Sequence, residues 1–203
     1  MPTWNTIFKK RGIYLHEPHE DMNEIIKLLH KEKAKRVLDL GSGTGRHTIL
    51  LAKCGFDAYG MDTSKEGLKL TRKWLKSLGL APSLKRASCY KKFPYPDGFF
   101  DAVISVQVIH HNYHEKILYC ISEIERVLKP GGNVFIVVPE KMKNEFHPNV
   151  KIILPRTYIP TDGIEKGVVH FHYSKSLLRK DFKNFDVSTC IWTNASISAC
   201  SEN

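Results

Sequence analysis

Val37-Leu38-Asp39-Leu40-Gly41-Ser42-Gly43-Thr44-Gly45 decides the fold of this chain. An apolar run reaches Leu40 and stops at three glycines in alternate positions, after which a helical pattern continues to Lys53. Glycine belongs where the backbone bends sharply, or where a ligand must approach main-chain atoms with no Cβ in the way. A strand, a glycine turn and a helix form the opening half of a βαβ unit. The spacing also discriminates between ligands. The dinucleotide fingerprint is G-x-G-x-x-G, and Arg46 holds the position of its third glycine. An ordinary strand-to-helix turn, the plain alternative, requires neither three glycines nor the acid Asp39 two residues ahead of them.

Working outward, Met1 to Pro18 reads as irregular, with Trp4, Phe8 and Tyr14 among basic residues. Asp21 to Leu29 carries Met22, Ile25, Ile26 and Leu29 at helical spacing. Lys35–Leu40, Asp57–Met61, Pro82–Arg86, Asp101–Val106 and Asn133–Val138 read as five strands. Helices are predicted over Gly45–Lys53, Ser64–Leu78 and His114–Leu128, the last ended by Pro130-Gly131-Gly132. A helix over Ser174–Phe182, a sixth strand over Phe185–Trp192 and a short final strand over Ser196–Cys200 complete the pattern. Such alternation predicts an α/β fold with a mostly parallel sheet covered on both faces, whose ligand sits outside the carboxyl ends of the strands. The expected organisation is a single domain: an N-terminal helix and lid over 1–34, a ligand-binding core over 35–139, and an insert with the last strands over 140–203.

Composition narrows the function. An apolar fraction of 42% suits a globule with a sizeable core. The longest clean apolar run, Val134 to Val138, suits a buried strand and is far too short to cross a membrane. No charged start followed by an apolar stretch opens the chain, so no signal peptide is expected. The five cysteines form no CxxC pair, which argues against a disulfide framework or structural zinc and for a reducing cytoplasm. None of the ten histidines falls in a recognised metal-ligand spacing, and no metal is expected. Residues 1–92 hold 19 Lys/Arg against 9 Asp/Glu and the remainder 12 against 12, so the net charge of +10 lies wholly in the first half. A solvated basic face explains this, as does affinity for a polyanion.

Asp62 closes the second strand, 23 positions after Asp39 (62 − 39). A carboxylate there can accept hydrogen bonds from two vicinal ribose hydroxyls. Ser64 is the better N-cap for the following helix, which leaves Asp62 for the ligand. Phe93-Pro94-Tyr95-Pro96-Asp97 makes a rigid loop before the fourth strand, and Gln107-Val108-Ile109-His110-His111 follows that strand's carboxyl end. Together with Arg126-Val127-Leu128-Lys129-Pro130-Gly131-Gly132, these blocks resemble a class I S-adenosylmethionine-dependent methyltransferase, of the broad type that includes ubiquinone and menaquinone methyltransferases and many small uncharacterised enzymes. The resemblance covers Lys35 to Pro139. It implies a Rossmann-like three-layer domain with a seven-stranded sheet, the last strand antiparallel and here cut short.

It also implies S-adenosyl-L-methionine as cofactor. Asp39, Gly41, Ser42, Gly43 and Gly45 would border its methionine part and Asp62 its ribose; Thr63 would flank the adenine, and Gln107 and Val108 would pack along it. One departure concerns the third strand, where relatives carry Gly-Asp and this chain reads Ala87-Ser88-Cys89, so the adenine contact falls to backbone, Ser88 or Cys89. His110 and His111 are candidates for a general base, His114 lies near them, and His170, His172 and Tyr173 are weaker candidates. The first three serve equally well as polar caps for the helix at His114, and strand alternation accounts for the others. Trp4, Phe8 and Tyr14 form either a lid over the cofactor or a cover for the sheet. The expected reaction is methyl transfer to a small-molecule acceptor. One alternative is tRNA methylation, since Val108-Ile109-His110-His111 also resembles wobble-uridine methyltransferases; another is cofactor binding without catalysis.

Overall fold

Apolar residues on both faces of the central strands set the layers of this protein. The structure, a computed structural model, describes residues 4–13, 15–139, 149–189 and 196–201. Tyr14, residues 140–148 of the insert and 190–192 of the expected sixth strand lie outside them. The elements are α1 (Trp4–Arg11), α2 (Met22–Lys31), β1 (Arg36–Leu40), α3 (Arg46–Lys53), β2 (Asp57–Asp62), α4 (Lys65–Ser77), β3 (Ser83–Arg86), β4 (Phe100–Val106), α5 (His114–Val127) and β5 (Leu128–Val137). They continue as β6 (Val150–Leu154), β7 (Thr157–Pro160), β8 (His170–Phe171), α6 (Lys175–Asp181), β9 (Phe185–Thr189) and β10 (Ser196–Ser201).

The main sheet has seven strands in the order β3-β2-β1-β4-β5-β10-β9. Strands β1 to β5 run parallel, and β10 lies antiparallel between β5 and β9. The last strand is short, as expected, and antiparallel, pairing Ser196↔Val137 through Cys200↔Asn133 along β5. Along β1, β4 and β5, Val37, Ala102, Ile104 and Phe135 point to one face, packing with Met22, Ile25 and Leu29 of α2. Leu38, Leu40, Val103, Val134 and Ile136 point to the other, against Ile117, Ile121 and Ile124 of α5 and Leu178 of α6. Both faces are covered, as parallel sheets require. The order reverses between β1 and β4, which opens a crevice at their carboxyl ends.

Three expectations need correction. Met1 to Pro18 is not irregular throughout, because Trp4–Arg11 is a helix that buries Ile7 and Phe8. The insert carries a separate three-stranded sheet, β6-β7-β8. Pro130-Gly131-Gly132 does not end the helix, which stops at Val127 with Leu128 already extended at φ −75°, ψ 142°. Pairing passes from Phe100↔Leu128 to Ala102↔Asn133, so residues 129–132 bulge opposite Asp101, with Gly131 left-handed at φ 74°. The Lys129 ammonium bonds the Asp101 carboxylate, which also accepts the Lys35 and Arg36 N–H groups at 3.0 and 2.7 Å. One side chain thereby ties β1, β4 and the bulge together.

Arg126 performs a similar service for the loop before β4. Its guanidinium donates to the carbonyls of Tyr95 (2.9 Å) and Phe93 (3.1 Å), to Asp97 (2.7 Å) and to Glu123 (2.6 Å), while Glu123 accepts the Phe93 N–H at 2.6 Å. These bonds hold Glu123 below the usual carboxylate range, its bond to Arg126 being the largest cause. Removing one partner of a buried pair strands the other, so Arg126→Met is expected to cost about 3 kcal/mol in urea unfolding. Adding Glu123→Gln to that variant recovers part of the loss; equal stability of the wild type and Arg126→Met would contradict the clamp.

Candidate functional site

The turn after β1 is built from left-handed backbone. Gly41, Gly43 and Gly45 have φ of 72°, 54° and 93°, values that side chains rarely tolerate. Two need room as well: a Cβ on Gly41 would stand 2.4 Å from Val108, and one on Gly45 2.4 Å from Thr71. The Gly41 N–H donates to Met61 O at 2.7 Å, and the Gly43 N–H to the Asp62 carboxylate at 2.8 Å. The other Asp62 oxygen accepts the Ser64 N–H at 2.7 Å. Ser64 does cap α4, its hydroxyl accepting the Gly67 N–H at 2.9 Å. Asp62 is nevertheless not left free by that cap, since it braces both loops. Burial raises its pKa above the usual carboxylate value.

This turn floors a cavity of about 1110 Å³. Among the expected residues, Gly41, Ser42, Gly43, Asp62, Thr63, Cys89, Gln107, Val108, His110 and His111 line it. Asp39, Gly45 and Ser88 are not in its wall. Asp39 lies between Leu38 and Leu40, which face α5, and so points the opposite way, toward α3. There, 1% exposed, it accepts the Thr48 N–H at 2.9 Å and hydroxyl at 2.6 Å. Gly45 faces Thr71. The Ser88 hydroxyl accepts the Tyr90 N–H at 3.2 Å and shapes the turn after β3. Of the other candidates, His114 stacks on Phe171 and lies 2.6 Å from Asp181, while the buried Tyr173 donates to Asp181 at 3.0 Å. His172 stacks on Tyr158, with ring centroids 4.5 Å apart.

Gln107 is the exposed first residue beyond β4, non-glycine yet left-handed at φ 59°, its N–H held by Val137 O at 2.8 Å. Strain of this kind persists where the surroundings enforce it, commonly at ligand sites. The Tyr90 hydroxyl donates to Val108 O at 3.2 Å and joins the loop after β3 to the loop after β4. Thr44 of the glycine turn lines the cavity too, and Met61 of β2 and Ala87 and Tyr90 from the loop after β3 were not anticipated, since their place in the wall is set only by the folded sheet. Trp4 and Phe8 of α1 also line the cavity, with the Trp4 ring 5.1 Å from His111. Tyr158 of β7, Glu165 and His170 of β8 belong to the same wall.

His110 and His111 are buried in this wall and cap no helix; the N-cap of α5 is Tyr113. Burial first, then the neighbouring imidazoles, holds His110 well below the ordinary histidine value and His111 down to about 3. Burial therefore disfavours the charged form of both rings where they line the cavity.

A parallel sheet in this order, with a glycine turn at the switch point, defines the class I methyltransferase fold. Residues 38–136 match the family described as "Methyltransferase domain". The chain is 35% identical over 142 residues to demethylmenaquinone methyltransferase of Thermus thermophilus, 67% of this chain and 62% of that one. The PH0226 protein of Pyrococcus horikoshii superposes with a TM-score of 0.75 at 22% identity, covering 97% of this chain and 98% of that one. A Burkholderia thailandensis 1,6-didemethyltoxoflavin-N1-methyltransferase, solved with 1,6-didemethyltoxoflavin and S-adenosylhomocysteine, gives 0.69 at 16% identity, covering 98% and 84%. The chain spans about half the length of the curated relatives it matches. Among the described residues, no helix is long and apolar enough to cross a membrane.

Burial raises the Asp39 carboxyl to about 6, against the bonds from Thr48. A folded-state pKa above the ordinary 3.8 means that its contribution to stability is complete below that value and lost as pH rises toward 6. Across that window the unfolding free energy of wild type should fall relative to Asp39→Asn by on the order of 3 kcal/mol, read from urea titrations at each pH. A gap that does not change with pH would show that Asp39 titrates normally.

Proposed function

We propose that this chain transfers a methyl group from S-adenosyl-L-methionine to a small-molecule acceptor bound in the outer half of the cavity. The observation that carries the reading is the glycine turn, whose backbone is bared to the cavity beside Asp62. The residues present fit the cofactor. Ser42 lines the cavity, and its buried hydroxyl has no hydrogen-bond partner in the protein. Asp62 uses two of roughly four lone-pair directions on Gly43 and Ser64, which leaves two for ribose hydroxyls. Gly41, Ser42 and Gly43 would hold the methionine part, Thr63 and Cys89 the adenine, and Gln107 and Val108 the length between. Asp39 and Gly45 act from behind, fixing the turn.

When bound, the cofactor supplies an electrophilic methyl carbon on a sulfonium. What remains for the protein is to aim a nucleophile at it and keep water out. Trp4, Phe8, Tyr158, Glu165 and His170 enclose that space. An acceptor that attacks through a lone pair already free at working pH needs no general base from the protein. A small molecule suits so enclosed a cavity, and demethylmenaquinone methyltransferase and the toxoflavin-precursor enzyme are named for small acceptors.

Transfer of a labelled methyl group into extracted small molecules, with tRNA tested separately, is the direct check. Label in the small-molecule fraction is expected; label in tRNA alone would move the acceptor to nucleic acid, and cofactor binding without any transfer would leave a binding protein. Calorimetry should show Asp62→Ala and Asp62→Asn each weakening S-adenosylmethionine binding about tenfold or more, the scale of one or two charge-assisted hydrogen bonds. Unchanged affinity in both variants would contradict the assigned ribose contact.

A further inference from the structure

The outer half of the cavity holds a cluster that the methyl-transfer proposal does not use. His110 and His111 follow β4, and His170 opens β8, some 60 positions further along (170 − 110). A backbone bond from the Phe171 N–H to His110 O, 2.8 Å, fixes the two segments side by side. One ring nitrogen from each of the three imidazoles lies within 4.8 Å of the other two. The rings do not stack: His110 and His111 are 3.9 Å apart and tilted by 42°, and His111 and His170 are 4.7 Å apart and nearly perpendicular at 87°. The Glu165 carboxylate adjoins them, 3.8 Å from His111 Nε2 and 3.4 Å from His170 Nε2. His110 Nδ1 is fully buried with no hydrogen-bond partner in the protein. A buried ring nitrogen is ordinarily satisfied, so this one calls for a partner that the polypeptide does not provide.

We propose that His110, His111 and His170 bind one divalent transition-metal ion, with Glu165 as a fourth donor. Imidazole nitrogens select zinc, cobalt or nickel; calcium and magnesium require oxygen ligands. Nitrogens about 2.0–2.1 Å from one ion stand roughly 3–4 Å from each other, so small rotations of these rings gather them. Three histidines around a tetrahedral ion leave a position for a water or a substrate atom. Here that position opens on the cavity, because all three histidines and Glu165 line it. His172, two residues past His170, lies outside the cluster with its ring against Tyr158. The ion site stands or falls independently of what the glycine turn binds.

The full chain, purified without a histidine tag and stripped with chelator, is dialysed against micromolar Co²⁺ or Zn²⁺ and its metal content measured. One ion per chain is expected, the cobalt form showing the visible absorption of a low-coordinate site. His111→Ala and His170→Ala should each weaken binding about tenfold or more, while His172→Ala retains it. His110 is too deeply buried for its replacement to be informative. In the wild type itself, cobalt should shift the ring resonances of three histidines, a reading that needs no variant to fold. No retained ion, full binding in the His111→Ala/His170→Ala double variant, or loss confined to His172→Ala would overturn the site.

Discussion

The Asp62 carboxylate accepts the Gly43 N–H through one oxygen and the Ser64 N–H through the other, and the geometry of the cavity floor follows from that pair of bonds. A left-handed turn after a buried strand leaves its amides with no ladder to join. An anion at the end of the neighbouring strand satisfies one of them and ties the start of α4 to the same point. The packing is correspondingly close: a Cβ on Gly67 would lie 2.7 Å from Gly43 O, and one on Gly60 2.7 Å from Leu84. Glycine is required on both sides of the contact. Once the turn is held this way, its amides are satisfied within the protein, those of Gly41 and Ser42 by Met61 O and that of Gly43 by Asp62, and Gly41 and Gly43 line the cavity floor.

Enclosure comes from elements remote in sequence. Phe8 lies over the turn, its Cζ 3.2 Å from where a Cβ on Gly43 would stand, and Trp4 reaches His111. The small β6-β7-β8 sheet is fastened to the loop after β4 by the bond from Phe171 to His110. Helix α1 is tied to the start of α4 by Asn5, whose side-chain oxygen accepts the Glu66 N–H at 2.9 Å, and Phe171 and Tyr173 are buried with the core on the α5 face.

The core was legible because its signals are local. The glycine turn, the apolar strands and the stripe of Ile117, Ile121 and Ile124 each fit within a dozen residues or so. The cover was not. Helix α1 is only eight residues long and has no acidic first turn, and its stripe of Trp4, Ile7 and Phe8 is too short to stand out from the basic residues around it. Strands β6 and β7 are short and mixed in burial, interrupted by Pro155 and Arg156, and only their pairing makes them a sheet. Asp39 was misassigned for a related reason. A strand buried on both faces shows no alternation, so its sequence does not tell which side an acid takes, and the tertiary fold sent this one toward Thr48. The proximity of His170 to His110 and His111 is likewise a product of chain reversal that no spacing rule can read.

The loop after β4 is the partition between the two halves of the cavity, and its rigidity has a physical source. Val108 fills the space that a side chain at Gly41 would need, the strained Gln107 is held by Val137, and the Tyr90 hydroxyl caps the Val108 carbonyl. Two residues further on, His110 and His111 face the opposite compartment. A group seated against Val108 therefore pushes on a wall whose far side is the histidine cluster. Ile109 between them has no exposed surface, so the loop that carries both groups is packed into the core.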